Sequence, residues 1–447
     1  MRRILFLIAV MAMVIASAAA RGQIRLPSVP LPMPNLGGLP DVRNSIRNTG
    51  NTDINIDTGK LVEIRINRQR ELIRKYPDFI EMDVAGAPVV RGQLVAIGPS
   101  AGALAAIIAA GFAIDGEREL AGLDTKVVIL RPPANLSLAN ALARLQEIDP
   151  AGTYDYNHIY SDSGTVAGAQ NTSQSTFQSM VNTPQSVASD TPARNDLIKI
   201  GLIDGGVDRA HPALQNAIIR QWGCAGKKVA SAHGNAVASI MVGQTGKFKG
   251  VLSTAVLYAA DVYCNAPTGG AVDAIVDALA WMARERVAVI NLSLVGPPNQ
   301  TLERILNILN ARGHIVVAAV GNDGPTSPPL YPAAYAGVIA VTAVDARQRV
   351  LPEACRGSHI AFSAPGSDML AAGVAADDAG HLSAVRGTSF AAPIVAAMLA
   401  RALPVPDRAT ATRAIAALAN EAIDLGASGR DPVFGYGVVG MAYRNPT

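Results

Sequence analysis

Cysteines, charged residues and long apolar runs are all scarce in this chain of 447 residues. Charged residues make up only 16% and hydrophobic residues 49%, a balance that excludes a globally disordered chain and allows a large core. No block of basic residues occurs and the formal net charge is +3, which argues against a nucleic-acid partner. After residue 20, no apolar run is long enough to span a membrane. The length leaves room for two or three domains.

The apolar run at the amino terminus has the pattern of an export signal. Residues 1–20 read MRRILFLIAVMAMVIASAAA, with two arginines, an apolar stretch and a small-residue cleavage site at the end. A membrane anchor is the alternative, because the run is nearly long enough to span a bilayer. The alanines at its end favour cleavage, and no cysteine follows that would carry a lipid. We therefore expect a secreted or periplasmic protein with no stable membrane span after signal removal.

Residues 21–160 divide into an irregular stretch and a compact pattern. Residues 21–84 are at first rich in Pro, Gly and Asn and then show amphipathic helical spacing over 61–75, to which no function is assigned. Residues 85–160 predict the element order β-α-β-β-α-β, which is the split β-α-β, ferredoxin-like motif. The predicted strands are 89–97, 113–120, 126–130 and 154–160, and the predicted helices, capped by Ser100 and Ser137, are 101–110 and 138–148.

The composition changes after residue 160. Residues 161–195 are rich in Ser, Thr, Gln and Asn, which predicts an exposed linker open to proteolysis. From 196 to 447, short apolar strands alternate with helices, which predicts an α/β domain with a parallel sheet covered on both faces. Sites in such sheets lie at the carboxyl ends of the strands. The predicted strands are 198–203, 255–260, 287–292, 315–320, 338–344 and 360–364, and the predicted helices are 234–242, 272–284, 302–311 and 390–402.

Residues 387–393, which read GTSFAAP and precede an apolar helical run, carry the strongest chemical signal. They place Ser389 at the start of a helix and Pro393 in its first turn, where a missing N–H costs little. Backbone N–H groups and the helix dipole favour negative charge there, which suits a nucleophile whose substrate becomes an oxyanion. The alternative is an ordinary capping serine on a buried helix.

Three more polar residues lie at the ends of predicted elements in the same domain. Asp204 follows the first strand, His233 enters a helix and Asn322 follows a buried strand. Each of them alone is explained by a turn or a cap. Together with Ser389 they supply an alcohol nucleophile, a base, a carboxylate that orients the base and an amide that donates to an oxyanion. The set therefore fits acyl transfer at an amide or ester bond.

These residues lie in motifs that resemble those of the subtilisin-like serine proteases (peptidase family S8), over about 196–440. The order Asp, His, Asn, Ser along the chain matches the family. The resemblance implies that Ser389 is the nucleophile, His233 the base and Asp204 the residue that orients the base. It further implies that Asn322 donates to the oxyanion and that the substrates are polypeptides. The motifs read LIDGG at 202–206, HGNAVAS at 233–239, INLSL at 290–294, GNDGP at 321–325, YPA at 331–333, APG at 364–366 and GTSFAAP at 387–393.

The chain departs from the family pattern without losing a catalytic group. Gly205 stands where members usually have Thr or Ser, and Asn235 and Ala236 stand where they often have Thr and a second His. These departures therefore affect the packing around the site more than the catalytic chemistry. The calcium-binding loop of many relatives is not recognisable, since residues 244–249 read QTGKFK and offer no carboxylate to a hard cation. We therefore expect no metal and no cofactor.

By the same resemblance, the element order of residues 85–160 looks like the ferredoxin-like propeptide of many relatives. Such a propeptide assists folding as an intramolecular chaperone and inhibits the enzyme until it is cut off. The resemblance therefore implies a precursor, and we expect Ser389 to cut it between about Tyr160 and Asp196.

The resemblance also implies a primary specificity pocket. Val295 stands where relatives usually have Gly and narrows what can approach the edge that binds the substrate. Leu330 is expected at the floor of the pocket, where some relatives have Gly. No acidic residue occurs in these stretches to pair with a substrate Lys or Arg, so small or medium apolar side chains are expected before the cut bond. The expected substrate-binding residues are Ser293, Leu294, Val295, Ala319, Val320 and Leu330.

Two other functions stay open. Gly98, Ser100 and Gly102 fit the G-x-S-x-G nucleophile elbow of an esterase, between a strand and a helix. The larger sheet and the oxyanion loop that such an esterase needs are not visible upstream, and a helix cap explains Ser100. A non-catalytic binding protein on a protease scaffold is the other alternative, against which the intact set of four residues argues.

The three cysteines permit one disulfide and leave one thiol over. Cys224 and Cys264 lie in loops near the start of the second domain, and Cys355 lies far on. We predict a bond between Cys224 and Cys264. Pairing of Cys355 stays open, because sequence does not fix connectivity.

Overall fold

The computed structural model describes residues 58–162, 165–166, 197–227, 229–373 and 382–446. The expected signal peptide, the stretch up to residue 57 and most of the expected linker lie outside these ranges. The helices are α1 (Leu61–Lys75), α2 (Ala101–Ala109), α3 (Leu138–Ile148), α4 (Ala232–Val242), α5 (Val272–Arg284), α6 (Gln300–Ala311), α7 (Thr388–Ala402) and α8 (Arg408–Glu421). Among the described residues, no helix has both the length and the apolar character that crossing a membrane requires.

The strands are β1 (Ile80–Met82), β2 (Pro88–Ile97), β3 (Ala113–Leu120), β4 (Thr125–Arg131), β5 (Thr153–His158), β6 (Ser161–Asp162), β7 (Thr165–Val166), β8 (Lys199–Asp204), β9 (Ile218–Gly223), β10 (Gln244–Thr245), β11 (Phe248–Lys249), β12 (Val256–Asp261), β13 (Val289–Leu292), β14 (Leu294–Val295), β15 (Ile315–Ala319), β16 (Val338–Val344), β17 (Ile360–Pro365), β18 (Met369–Ala372) and β19 (Leu382–Arg386).

The first five strands form a small antiparallel sheet covered on one face by α2 and α3. β5 pairs with β2, β2 with β4 and β4 with β3, so the connections are those of the split β-α-β motif. Each helix begins after a serine whose hydroxyl accepts a hydrogen bond from an N–H three residues on, Ser100 from Ala103 and Ser137 from Asn140. These caps explain where both helices start.

Seven parallel strands form the main sheet, in the order β17-β16-β15-β13-β8-β12-β9. The predicted α/β fold with a parallel sheet is confirmed, and the six predicted strands occur with ends that shift by at most two residues. β9 was not predicted. It is an edge strand that mixes exposed and buried residues and includes Arg220 and Gln221, so no continuous apolar run marks it.

Helices cover both faces of the main sheet and bury two apolar cores. α4, α7 and α8 pack on one face, and α5 and α6 pack on the other. The small sheet adds Val95, Val127 and Ile129 to the second core, so it lies against the same pair of helices. Because each fully buried aliphatic side chain contributes about 2 kcal/mol, this shared core joins the two sheets firmly.

The first residues of the expected linker are strands. β6 pairs antiparallel with β14, with Asp162 opposite Leu294 and Ser161 opposite Val295. β7 pairs antiparallel with β19, with Thr165 opposite Arg386. The linker therefore begins later than residue 161. Its composition could not reveal this, because the pairing partners lie more than a hundred residues away.

Candidate active site

The buried carboxylate of Asp204 contacts the imidazole of His233 at the end of the main sheet. β8 ends at Asp204, and α4 begins one residue before His233, after a Ser231 cap. Nδ1 of His233 lies 2.9 Å from both carboxylate oxygens of Asp204. The N–H of Gly205 donates to the same carboxylate at 2.7 Å. This geometry makes Nδ1 the donor and leaves Nε2 to accept a proton.

Gly234 permits this close approach of helix and strand. A Cβ at Gly234 would lie 2.3 Å from the carbonyl oxygen of Gly205, which follows Asp204. Any larger residue would push the start of α4 away from the end of β8. The glycine after His233 therefore keeps the imidazole within reach of its carboxylate.

The second ring nitrogen of His233 is placed to act as a base. Nε2 is buried and has no hydrogen-bond partner among the described residues. The ring lies 5.5 Å from that of Phe390, the residue after Ser389. Burial lowers the pKa of His233, but the carboxylates of Asp204 and Asp162 outweigh burial and raise the pKa to about 9. The imidazole of His233 therefore lies beside the start of α7, and the carboxylates of Asp204 and Asp162 stabilise its protonated form.

Ser389 is the second residue of α7, which begins after Gly387 with a φ of 136°. Pro393 lies in the second turn, so its predicted place in the first turn is wrong. Having no N–H, Pro393 cannot bond the carbonyl of Ser389 four residues earlier. The hydroxyl of Ser293 donates to that carbonyl instead, at 2.9 Å, and Oγ of Ser389 lies 3.5 Å from the carbonyl oxygen of Ser293. The proline thus leaves the carbonyl of Ser389 free to accept a hydrogen bond from Ser293, which fixes Ser389 beside the end of β13.

The side-chain amide of Asn322 is held at the same helix start. β15 ends before Gly321, whose φ of 98° turns the chain toward α7. Oδ1 of Asn322 accepts a hydrogen bond from the N–H of Thr388 at 3.1 Å, and Oγ1 of Thr388 accepts one from the N–H of Gly321 at 3.1 Å. With its oxygen occupied, the amide offers its NH₂ group as the donor. Asn322 thereby supplies a fixed donor next to Ser389.

The chain itself lies along a groove that leads to Ser389. β14 forms one edge of the groove and pairs with β6. On the other edge, the carbonyl of Gly270 accepts a hydrogen bond from the N–H of Tyr160 at 2.8 Å. Residues 160–162 therefore lie between two edges as an added strand. Beyond the nucleophile, β7 continues on β19, which leads directly into α7.

Two of the predicted pocket residues, Leu330 and Val295, lie beside Gly321. A Cβ on Gly321 would lie 2.5 Å from Cδ1 of Leu330 and 3.4 Å from Cγ1 of Val295. Leu330, Ala319 and Val320 are buried. Cys355 lies at the same point, with its Sγ 3.4 Å from that Cβ position, and no sequence signal predicted it there. Burial raises the pKa of the Cys355 thiol to about 11, which keeps it unreactive.

Comparison with known proteins identifies the family. The sequence pattern of the Subtilase family matches residues 195–437, more than half of the chain. The chain belongs to the subtilase family. Subtilisin DY of Bacillus licheniformis is 30% identical over 239 residues, which are 52% of this chain and 85% of that protein. Minor extracellular protease Epr of Bacillus subtilis (strain 168) is 29% identical over 210 residues, 46% of this chain and 32% of that protein.

A solved structure extends the likeness of fold beyond the matched domain. The crystal structure of fervidolysin from Fervidobacterium pennivorans, described as a keratinolytic enzyme related to subtilisin, matches with a TM-score of 0.62. The match has 19% sequence identity and covers 82% of this subtilase and 62% of that chain. This subtilase spans about half or less of the length of the first curated relatives that it matches.

The serine of the esterase-like motif stands apart from this site. Ser100 directly precedes α2, which covers the small sheet. Its Oγ accepts the capping hydrogen bond from the N–H of Ala103 at 3.1 Å. The residue is exposed. Its hydroxyl therefore caps α2, which is the alternative to the role of an esterase nucleophile.

Cys224 and Cys264 of this subtilase are joined by a disulfide, with Cα atoms 5.1 Å apart, and Cys355 is a free, buried thiol. Asp261 lies between the two bonded cysteines, close enough to both sulfurs that the three residues resemble a metal-binding cluster. Sulfurs bonded to each other offer no thiolate to a cation. Instead, Asp261 accepts hydrogen bonds from the N–H groups of Tyr263 and Cys264 at 3.0 and 2.9 Å, which shapes the loop leading to Gly270.

Removing this disulfide by the double substitution Cys224→Ser and Cys264→Ser is expected to lower stability. The bond closes a loop with a sequence separation of 40, and losing a bond that closes such a loop costs about 2–4 kcal/mol. Urea unfolding of the wild-type protein and the variant, both carrying Ser389→Ala to prevent proteolysis, measures the difference. An equal midpoint for the two proteins, or peptide mapping that finds Cys355 bridged, would contradict the assignment.

Proposed function

We propose that this subtilase is a serine endopeptidase, exported as a precursor that cuts itself. The observation that carries the proposal is the placement of residues 160–162 and 165–166, which pair with the strands on either side of Ser389 as a substrate would. Strand pairing on both sides of the nucleophile, with β14 before it and β19 beyond it, supports this interpretation. In β-strand addition, a bound polypeptide is extended and pairs with the exposed edge of a sheet, as these residues do.

The reaction follows from Ser389 at the start of α7 and from the three residues placed around it, Asp204, His233 and Asn322. Oγ of Ser389 attacks the carbonyl carbon of the peptide bond while Nε2 of His233 takes its proton. Asp204 holds the imidazole through Nδ1 and stabilises the imidazolium. The carbonyl oxygen becomes an anion, to which the NH₂ group of Asn322 donates. The imidazolium then protonates the leaving amine, and water hydrolyses the acyl-enzyme by the same steps.

The register of the two strands narrows the position of the cut. Among the residues that the structure describes here, Asp162 is the last paired with the edge before the nucleophile, and Thr165 is the first paired with the edge beyond it. We therefore infer that the chain is cut at one of the three bonds between Asp162 and Thr165. This position lies inside the range that the sequence predicts.

Contacts of the small sheet support its role as an inhibitor and folding aid. The carboxylate of Asp155 accepts a hydrogen bond from the N–H of Gln300 at 2.7 Å, at the positive end of α6. Arg118 pairs with Asp277 of α5 at 2.7 Å. The small sheet thus binds α5 and α6, and the residues that follow its last strand, 160–162, lie in the groove. Burial raises the pKa of Asp277 to about 6, an effect that Arg118 opposes.

Tyr160 supports an aromatic subsite in the groove. Its side chain is 1% exposed, and its hydroxyl donates to the carbonyl of Pro297 at 2.6 Å. The ring lies against Gly296, where a Cβ would come within 2.5 Å of it. Since the residue before the cut is 162, 163 or 164, Tyr160 is the third, fourth or fifth residue before the cut. We infer that good substrates carry Tyr at that distance and a small or medium apolar residue next to the cut bond.

Self-cleavage is expected to be slow at neutral pH and to speed up toward alkaline pH. Only neutral His233 accepts the proton of Ser389, and its pKa of about 9 leaves it protonated at pH 7. The rate should therefore rise about tenfold per pH unit until the pH reaches the pKa. Asp162→Asn removes one of the carboxylates that raise this pKa, so the pH profile should move to lower pH and self-cleavage at pH 7 should be faster.

Single-turnover cleavage of purified precursor, followed by gel from pH 6 to 10, measures both effects. Asp208→Asn, which removes a carboxylate away from the base, serves as the matched control. A pH profile that Asp162→Asn leaves unchanged would contradict the role given to Asp162.

Two measurements on the wild-type protein test the proposed function. Mass spectrometry and amino-terminal sequencing of the matured protein should find the new terminus at residue 163, 164 or 165. Cleavage profiling of a peptide library should then find Tyr three to five residues before the cut and no preference for Lys or Arg next to it. A terminus beyond residue 166, or a dominant Lys or Arg preference, would overturn this part of the proposal.

A further inference from the structure

Helix α1 precedes the small sheet and carries five basic and two acidic residues. None of its 15 residues is buried, so apolar packing contributes little to its attachment. A polar contact nevertheless ties it to the other half of the chain. Nη1 of Arg65 lies 2.9 Å from Oδ2 of Asp323, and the two side chains are only 21% and 15% exposed.

The partner of Arg65 belongs to the oxyanion loop, defined as residues 321–324. Asp323 directly follows Asn322, the oxyanion donor. Both ends of the loop are fixed, at Gly321 by Thr388 and at Gly324 by a hydrogen bond from its N–H to the carbonyl of Glu353 at 2.8 Å. Arg65 therefore contacts a fixed surface of the catalytic centre.

The positive charge of a second arginine of α1 acts on Asp162 in the groove. Arg68 lies three residues after Arg65, which places both side chains on one face of the helix. The surrounding protein raises the pKa of Asp162, although that residue keeps solvent contact, and the positive charges of His233 and Arg68 oppose this rise. The basic face of α1 thus contacts Asp323 on the oxyanion loop through Arg65, and the charge of Arg68 acts on Asp162 in the groove.

We propose that α1 is a second inhibitory element, separate from the strand in the groove, which docks on the oxyanion loop through Arg65. This inference rests on the proposed self-cleaving function. It assigns to α1 an effect after the cut: the amino-terminal fragment stays bound, and α1 keeps other polypeptides from the oxyanion donor. Ion pairs that are largely withdrawn from water chiefly slow dissociation, so the effect is a delay between cutting and activity.

The experiment follows both events in one sample of the full chain. Precursor purified at a pH of about 6 is brought to about 9 to start self-cleavage, as the pKa of His233 requires. A gel measures the cut chain, and a fluorogenic peptide measures activity on other substrates. In the wild-type protein, activity should lag behind the cut.

Arg65→Ala should leave the rate of cutting unchanged and shorten the lag about fivefold, the effect of a partly buried ion pair. Arg70→Ala, on the same helix but away from that face, is the matched control and should keep the wild-type lag. The exchanged pair Arg65→Asp with Asp323→Arg should restore a lag that Arg65→Asp alone shortens. That rescue separates docking from any effect on the folding of α1.

Three results would overturn the inference: no lag in the wild-type protein, an unchanged lag in Arg65→Ala, or an equal shortening in Arg70→Ala. Failure of the proposed function gives a different result, because then no variant cuts itself at any pH. If Arg65→Ala is obtained only in unfolded form, Arg65→Lys replaces it. A lysine keeps the charge and loses the planar, two-nitrogen geometry of arginine. Arg65→Lys should therefore give a lag that is shorter than that of the wild type and of Arg70→Ala but still measurable.

Discussion

Precursor that carries Ser389→Ala is expected to remain uncut. The substitution removes the oxygen that attacks the peptide bond and leaves the rest of α7, including the carbonyl that Ser293 holds, in place. In subtilisin, a relative, removing the nucleophile slows turnover by on the order of a millionfold. Self-cleavage would then take far longer than any incubation. Intact-mass measurement of the purified variant after incubation at a pH of about 9 should find the full precursor alone.

Ser100→Ala is the matched control for this experiment. It removes a serine hydroxyl that caps α2, outside the groove, and should cost about 1 kcal/mol of stability without slowing the cut. Both proteins are produced in a protease-deficient host and incubated alone. Trimming of Ser389→Ala at the wild-type rate would show that another group cuts the chain, and an uncut Ser100→Ala would favour the esterase-like serine.

Asn322→Ala is expected to give a folded enzyme with greatly reduced turnover. When Ser389 attacks, the carbonyl oxygen gains a charge that a preorganised donor stabilises more than it stabilises the neutral substrate. Loss of one such donor costs about 3–4 kcal/mol, or on the order of a hundred- to a thousandfold in kcat, a magnitude established in subtilisin. Because the ground-state carbonyl gains little from the donor, KM should change much less.

Steady-state kinetics on matured Asn322→Ala tests this expectation, with an outside protease supplied if self-cleavage stalls. Asn420→Ala, an exposed asparagine on α8, controls for loss of an amide elsewhere. Asn322 also holds the N–H of Thr388, so thermal unfolding of both variants reports any damage to the start of α7. Unchanged kcat with a strongly raised KM would mean that Asn322 only binds substrate.

The residues of the proposed catalytic centre could be predicted because each ends, follows or opens a regular element. Asp204 is the last residue of a buried strand and Asn322 lies three residues after another, and parallel strands bring their carboxyl ends to one edge. His233 and Ser389 open helices that pack on the same sheet. Periodicity and caps are local signals, and so these four positions, six of the seven main strands and four of the five helices beside them follow from the sequence.

Contacts between distant parts of the chain could not be predicted. Nothing near Ser161 indicates that it pairs with Val295, and nothing near Arg65 indicates Asp323. The role of Pro393 is also hidden, since its effect depends on a hydroxyl of Ser293 that lies about a hundred residues away. Helix α8 was missed because its Ala- and Thr-rich sequence lacks a clear apolar stripe, although Asp407 caps its start.

Covalent labelling of the active nucleophile tests the central claim most directly. A fluorophosphonate reacts only with a serine whose proton a neighbouring base removes, and it leaves a phosphonyl group that peptide mapping locates. Matured wild-type protein should carry one label, on the peptide that contains Ser389, and His233→Ala should react at least a hundredfold more slowly. A label on Ser100, or equal labelling of Ser389→Ala, would contradict the assignment of this site as the catalytic centre.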